Sequence, residues 1–189
     1  MNIEDIIKGC KEGNRASQDA LVQKFASGLL SLCIRYTSDY DLGRDALQEC
    51  FLNAFKYIHQ YTGKGSFEGW LKRIAVHAAL SVKKKFRSLH FDHITEDRDW
   101  QYAEIPDIYS ELQVEAILQL LHQLPETLYL VFNLYVVEGY QHSEISGMLG
   151  ITESTSRASL CKARNRLIEL IKNQEKYGQT SLIHKSIIS

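Results

Sequence analysis

The sequence predicts an all-α protein of two helical domains joined by an acidic, flexible linker. Three observations carry that prediction. Only two prolines occur in 189 residues, Pro106 and Pro125. Apolar residues recur at helical spacing over long stretches, and alternating β-branched runs are few. From Ser88 to about Ser110 that periodicity stops, and Asp92, Glu96, Asp97, Asp99, Glu104, Pro106 and Asp107 take its place. A structureless stretch of that length does not sit inside one compact domain. The expected division is therefore a domain over 1–88, a linker over 89–110, a second domain over 111–175 and a tail over 176–189.

Taken in order, helix one is expected over about Ile3 to Glu12 and helix two over about Ser17 to Tyr36, burying Leu21, Phe25, Leu29, Leu32 and Cys33. Ser38-Asp39 supplies N-cap chemistry for helix three, which runs to about Gln60 with the stripe Leu47, Phe51, Ala54, Phe55 and Ile58 facing a core. Tyr61-Thr62-Gly63-Lys64-Gly65 reads as a short loop, and Ser66 caps helix four, which continues to about Arg87. The second domain opens with Leu112, Val114, Ile117, Leu118, Leu120 and Leu121. Leu124-Pro125 starts a further helix, with proline in a first-turn position where its missing N–H costs nothing. The apolar run from Val131 to Val137 stops at Glu138-Gly139. A short helix with Ile145, Met148 and Leu149 meets a turn at Gly150-Ile151, and Thr152 is placed to cap a long last helix. After about Glu175 the pattern is lost in a tail expected to be mobile.

Composition excludes several classes. Hydrophobic content of 44% and charged content of 24% are ordinary for a soluble globular chain. The first residues lack the basic and apolar regions of a signal peptide, and no run is long enough to cross a membrane. Cys10, Cys33, Cys50 and Cys161 are scattered, which reads as reduced, mostly buried thiols in the cytoplasm and gives no metal site. His90 and His93 alone make a weak metal candidate. No phosphate-binding glycine loop, zinc-protease pattern or nucleophile triad appears, so neither catalytic residues nor a cofactor is expected.

The formal net charge of −1 hides a segregation. Residues 1–88 carry net +5, residues 89–115 net −7, and residues 116–189 net +1. Helix four holds Lys72, Arg73, Lys83, Lys84, Lys85 and Arg87 with no acidic residue between Gly69 and Phe91. A helical wheel sets Phe67, Leu71, Ile74, Ala78 and Val82 on one side, with Lys72, Arg73, Lys83, Lys84 and Arg87 over much of the other. Trp70 and His77 lie on the border near Arg73 and Lys84. Cations that hold phosphates, edged by an aromatic that stacks on bases, suit a nucleic-acid strand; a solvated basic helix with Trp70 in the core is the plainer alternative. Asp45, Gln48, Glu49 and Lys56 form a polar stripe on helix three, either a solubilising face or a surface for a partner with matching arginines.

In the last helix, Leu160, Ala163, Leu167 and Ile171 point inward, while Ser154, Thr155, Ala158, Ser159, Lys162, Asn165 and Arg166 face outward and Arg157 lies at the side. Two helices joined by a glycine turn, the second bearing cations, describe a helix-turn-helix. Residues near the N-terminal end of such a helix reach base edges, and later cations hold phosphates. An amphipathic helix with solvated cations is the alternative.

Together these segments resemble the extracytoplasmic-function group of bacterial RNA polymerase sigma factors, over roughly Ile3 to Leu170. Asp45, Gln48, Glu49 and Phe51 fit the family's D-x-x-Q-E-x-F stretch of region two. Phe67, Trp70, Leu71, Ile74 and Ala75 fit its F-x-x-W-L-x-x-I-A stretch. Leu124-Pro125, Glu138-Gly139, Glu144-Ile145 and Leu149 through Arg164 fit region four. The resemblance implies that Asp45, Gln48 and Glu49 dock on the clamp helices of the largest polymerase subunit, and that the flap of the second-largest subunit is a further contact. It implies that Ser154, Thr155, Arg157, Ala158, Ser159, Lys162 and Arg166 read the upstream (minus thirty-five) promoter element as duplex. It also implies that Tyr61, Lys64, Trp70, Arg73, His77 and Lys84 hold the melted downstream (minus ten) strand, with the loop Tyr61 to Ser66 capturing a flipped base. The acidic linker would thread into the polymerase. Promoter DNA, core RNA polymerase and an anti-sigma factor are the implied partners, in the cytoplasm or held at the inner membrane by that anti-sigma factor, with no small-molecule substrate. His77 stands where many relatives carry Asn, Ser81 where they often carry Asp, and Ser146 where Ala is common. Ser156 replaces a usual Val at a packing position, removing about 1 kcal/mol of apolar burial. A stand-alone helix-turn-helix regulator, or a helical module that imitates a sigma factor, are the readings to be set against this one.

Overall fold

The computed structural model describes residues 2–89 and 120–176, with side chains described through residue 88 in the first stretch and residue 173 in the second. The linker expected over 89–110, the start of the second domain, the His90 and His93 pair and the tail fall mostly or wholly outside these residues. The regular structure of the described residues is helical, without a strand among them. It divides into two compact units, one within residues 1–106 and the other within 107–189.

The first unit holds α1 (Ile3–Lys11), α2 (Arg15–Thr37), α3 (Tyr40–Tyr57), a 3₁₀ turn (Ile58–Gln60) and α4 (Phe67–Leu89). Each start is set by a short polar side chain. Asn2, Asn14 and Asp39 accept from the backbone N–H groups of Asp5, Ser17 and Leu42, and Ser66 accepts from Gly69. Helix two therefore starts two residues earlier than expected, because Asn14 rather than a residue at Ser17 supplies the cap. Ser38 takes the left-handed conformation (φ 59°) that ends α2 and turns the chain into α3.

Helices α2, α3 and α4 pack on one another around Leu21, Leu32, Cys33, Tyr36, Cys50, Ile58, Leu71 and Val76, all buried. Small residues bring the helices close. Ala46, Ala54, Ala75 and Ala79 are fully enclosed, and a Cβ on Gly43 would come within 3.3 Å of the Ile34 backbone. The Cys33 and Cys50 thiols lie against the carbonyls of Ala75 and Leu71. Burial pushes both up to about 12, with the Cys50 charge adding to the effect at Cys33, so neither is a thiolate at neutral pH. Of the expected helix-three stripe, Phe51, Ala54 and Ile58 are buried, and Leu47 and Phe55 are half-buried.

In the second unit, helical residues 120–122 lead through Leu124 to α5 (Glu126–Phe132), a π-helical turn (Asn133–Val137), α6 (His142–Leu149) and α7 (Glu153–Lys176). Pro125 is the N-cap, one position earlier than a first-turn proline, and its φ of −53° still directs the chain into the helix. The apolar run does not continue as a plain α-helix. Its hydrogen-bonded span lengthens by one residue, so that Glu138 N–H reaches the Asn133 carbonyl (3.0 Å). The Asn133 amide, 1% exposed, donates to the Tyr129 carbonyl at 2.9 Å, satisfying a polar group inside the core. Gln141 and Glu144 form a capping box at the start of α6, Gly150 ends it with φ 68°, and Thr152 caps α7 by accepting from Thr155 N–H. Leu134, Ile145, Leu160, Ala163, Leu167 and Ile171 fill the core.

Candidate nucleic-acid interface

Within the first unit, the loop after α3 packs into an aromatic ledge. Phe67, buried, is the hub: Phe25 meets it edge-on at 6.1 Å, Tyr61 edge-on at 5.1 Å, and Trp70 stacks on it at 5.4 Å. Tyr61 also lies 5.7 Å from Trp70. Its hydroxyl donates to the Gly65 carbonyl (2.9 Å), closing the loop over itself, and its own carbonyl accepts from the Lys11 ammonium (3.0 Å). Tyr61 and Trp70 are half-buried, each packed on Phe67 and on the other. Lys64 stands exposed at the loop tip. Trp70 thus rests on the buried Phe67 while itself half-buried at the start of the basic face.

From Trp70 the face continues along α4. Arg73, His77 and Lys84 follow at three, seven and fourteen residues, which on a 3.6-residue helix falls within one arc, and all three are exposed. Lys83 does not join them. It is 7% exposed, and its ammonium donates to the Tyr36 carbonyl (3.0 Å) at the end of α2. A lysine stem buries readily when its head finds a carbonyl to bond, here one in the closing turn of α2. Lys72 pairs with Glu68 at 2.9 Å on the exposed surface.

On α3, Asp45 and Gln48 are exposed and Glu49 is half-buried, opposite the buried Ala46, Cys50 and Ala54. Leu52 shares this polar face and is 62% exposed, an apolar side chain that the motif residues alone do not single out. Its spacing from Glu49 and Gln48 was the available signal. Lys56 covers the Tyr57 ring at 5.1 Å.

In the second unit, α7 exposes Ser154, Thr155, Arg157, Ala158, Lys162 and Arg166. Ser159 must be removed from that set: it is 7% exposed, because five residues beyond Ser154 the helix has turned it toward the Leu160 and Ala163 side. Arg157 bonds Glu153, and Arg166 bonds Glu169 at 3.1 Å, both at the surface where such pairs exchange easily for phosphate. Cys161 is exposed on the same face, between Ala158 and Asn165, whereas Cys10, Cys33 and Cys50 are buried. Ser156 is fully buried and lies 2.8 Å from His142 Nδ1. Burial, and secondarily the Arg157 charge, hold the His142 pKa below the usual histidine value, with Glu153 pulling the other way.

Among the described residues no group of three or more His, Cys, Asp or Glu side chains could hold a metal ion. No described helix is long and apolar enough to cross a membrane.

Comparison with known proteins adds the family. The sigma-70 region 2 model matches residues 21–88, and the sigma-70 region 4 model matches residues 114–167. The chain is 29% identical over 170 residues to the ECF RNA polymerase sigma factor SigE of Mycolicibacterium smegmatis, covering 87% of this chain and 66% of that protein. It is 27% identical over 181 residues to the ECF RNA polymerase sigma-E factor of Haemophilus influenzae, covering 89% and 93%. In fold it resembles the sigma factor RpoE solved in complex with the anti-sigma factor NepR from Bartonella quintana, with a TM-score of 0.53, 20% identity, and 82% and 96% of the two chains covered. With region 2 and region 4 in order along one chain and likeness to whole members of one group, this protein belongs to the extracytoplasmic-function RNA polymerase sigma factors of the sigma-70 family.

Proposed function

We propose that this chain is the promoter-recognition subunit of a bacterial RNA polymerase, acting in the cytoplasm, without catalytic residues or a cofactor of its own. The observation that carries the reading is the pair of nucleic-acid faces, one in each unit, that differ in kind. Exposed cations and small polar groups on one side of α7 suit a duplex groove. A pinned aromatic ledge running into the cations of α4 suits an unpaired strand.

In this reading Ser154, Thr155, Arg157 and Ala158 meet base edges of the upstream element, and Lys162 and Arg166 hold its phosphates. Tyr61, Trp70, Lys64, Arg73, His77 and Lys84 hold the opened downstream strand. Extruding a base costs a few kcal/mol, and stacking on the half-buried Tyr61 and Trp70 rings offsets that cost. Asp45, Gln48 and Glu49, with Leu52 beside them, bind the clamp helices of the largest polymerase subunit, and the second unit meets the flap of the second-largest. Residues 1–88 and 111–175 form the two working domains, residues 89–110 an acidic linker between them, and an anti-sigma factor is the regulator.

Run-off transcription with purified core polymerase on pooled genomic promoter fragments tests the whole reading. Discrete transcripts that require this protein are expected; specific duplex binding without polymerase and without transcripts would replace the reading by a stand-alone regulator. Reversing Glu49 to Lys should weaken holoenzyme assembly, and an unchanged affinity would remove Glu49 from the polymerase surface.

A further inference from the structure

The helix-turn-helix contains one polar joint inside its apolar packing. Ser156 has no exposed surface, and its hydroxyl lies 2.8 Å from Nδ1 of His142. The face of the same imidazole stacks on Tyr135, with ring centroids 4.5 Å apart and planes 21° apart. Three segments thus converge on one ring: the π-helical turn, the first residue of α6 and the first turn of α7. The start of α6 is itself held by the Gln141 and Glu144 capping box, so the ring has a fixed base.

An apolar side chain at residue 156 would hold α7 by contact area, which tolerates rotation and sliding. A hydrogen bond between one hydroxyl and one ring nitrogen, with the ring plane fixed by stacking, prescribes a direction as well as a distance. That matters where the joint lies. Ser154, Thr155, Arg157 and Ala158 all sit within two residues of Ser156 and are exposed to solvent. At a helix radius of about 5–6 Å, a rotation of roughly 20° about the α7 axis moves their side chains by about 2 Å, enough to break a base-edge hydrogen bond.

We propose that Tyr135, His142 and Ser156 form a positioning joint that sets the rotation of α7 and thereby the base discrimination of the duplex-reading face. This rests on the reading of α7 as the reader of the upstream element. None of the three residues need touch DNA; they act through the helix that does.

The test uses full-length protein with core polymerase, and a promoter fragment found by run-off transcription. Affinity of the holoenzyme is measured for that fragment and for the same fragment with its upstream element scrambled. His142→Ala and Ser156→Ala are each expected to lower the ratio of the two affinities about tenfold, with binding to the scrambled fragment unchanged. The double variant should lose no more than the worse single one, since either change removes the same bond. His142→Asn, which keeps a polar atom near the Nδ1 position, should recover at least a third of the lost ratio; a role limited to folding would not follow that order. If His142→Ala does not fold, Ser156→Ala and His142→Asn, which disturb volume less, carry the test. An unchanged ratio in folded variants, equal losses on both fragments, or additive losses in the double variant would overturn the joint. Wild-type holoenzyme that binds both fragments equally would overturn the reading of α7, and the joint with it.

Discussion

The ammonium of Lys83 is a charge turned inward, and its environment makes it a measurable part of the first unit's stability. It is 7% exposed and bonds the Tyr36 carbonyl at the end of α2. Lys83→Met, which keeps the stem and removes the bond, should destabilise the unit by about 1.5–3 kcal/mol in urea unfolding, the range for hydrogen bonds to charged groups. A loss below about 0.5 kcal/mol would mean that the stem alone matters. Cys161 serves as a reporter at the same scale. As the exposed thiol of α7 it should be alkylated readily in the free protein, and bound promoter should slow that reaction several-fold if this face meets DNA. His142 gives a pH dependence. Its pKa is held below the unfolded value by burial and by Arg157 on α7, against Glu153, while Tyr135 packs on its face. The unfolded chain therefore binds the proton more readily. The contribution of neutral His142 is present above about pH 6.5 and is lost as pH falls through its lower folded pKa. The unfolding midpoint of the second unit should fall between pH 7.5 and pH 5.5 by more in the wild type than in His142→Asn.

Elements in this protein are closed by single residues, and the closures differ in how visible they are beforehand. Thr152 as the cap of α7, the turn at Gly150 and Asp39 before α3 all follow from local chemistry that acts within four residues, and each stands where local pattern puts it. Gly150 carries φ 68°, so Gly150→Ala should cost about 1 kcal/mol in thermal unfolding and loosen the angle between α6 and α7. The π-helical turn is different in origin. Nothing in the run from Val131 to Val137 separates it from an α-helix; the widening suits the packing around the buried Asn133 amide. Asn133→Leu leaves the extra Tyr129 bond unmade inside the core, with an expected loss of about 1–3 kcal/mol. The loop from Tyr61 to Ser66 belongs here too. Its glycines announce a loop, but its anchor is Lys11, fifty residues away on α1. Lys11→Met should leave polymerase assembly intact and slow strand opening, read by permanganate reactivity of unpaired thymines; normal opening would show that the aromatic contacts hold the loop unaided.

At the scale of the molecule, charge is partitioned as function would require: basic in residues 1–88, acidic in 89–115, close to neutral beyond. Promoter affinity should fall with salt, and Lys162→Ala should lower the slope of log affinity against log salt by about 1 if that side chain holds a phosphate. The two compact units have separate cores, so Lys83→Met and Asn133→Leu should shift different unfolding transitions of the full chain. The sequence by itself determined the helical class, the helix-turn-helix, the aromatic and basic stretch of α4 and the family they resemble, because periodicity, caps and motif spacing are local and survive without coordinates. Only the tertiary structure decided which cations and hydroxyls reach solvent. Lys83 and Ser159 turned inward, Cys161 turned outward, and Ser156 found His142 fourteen residues away. A helical wheel knows the angle of a side chain about its own axis but not where the neighbouring helices lie, and burial is a property of the neighbours.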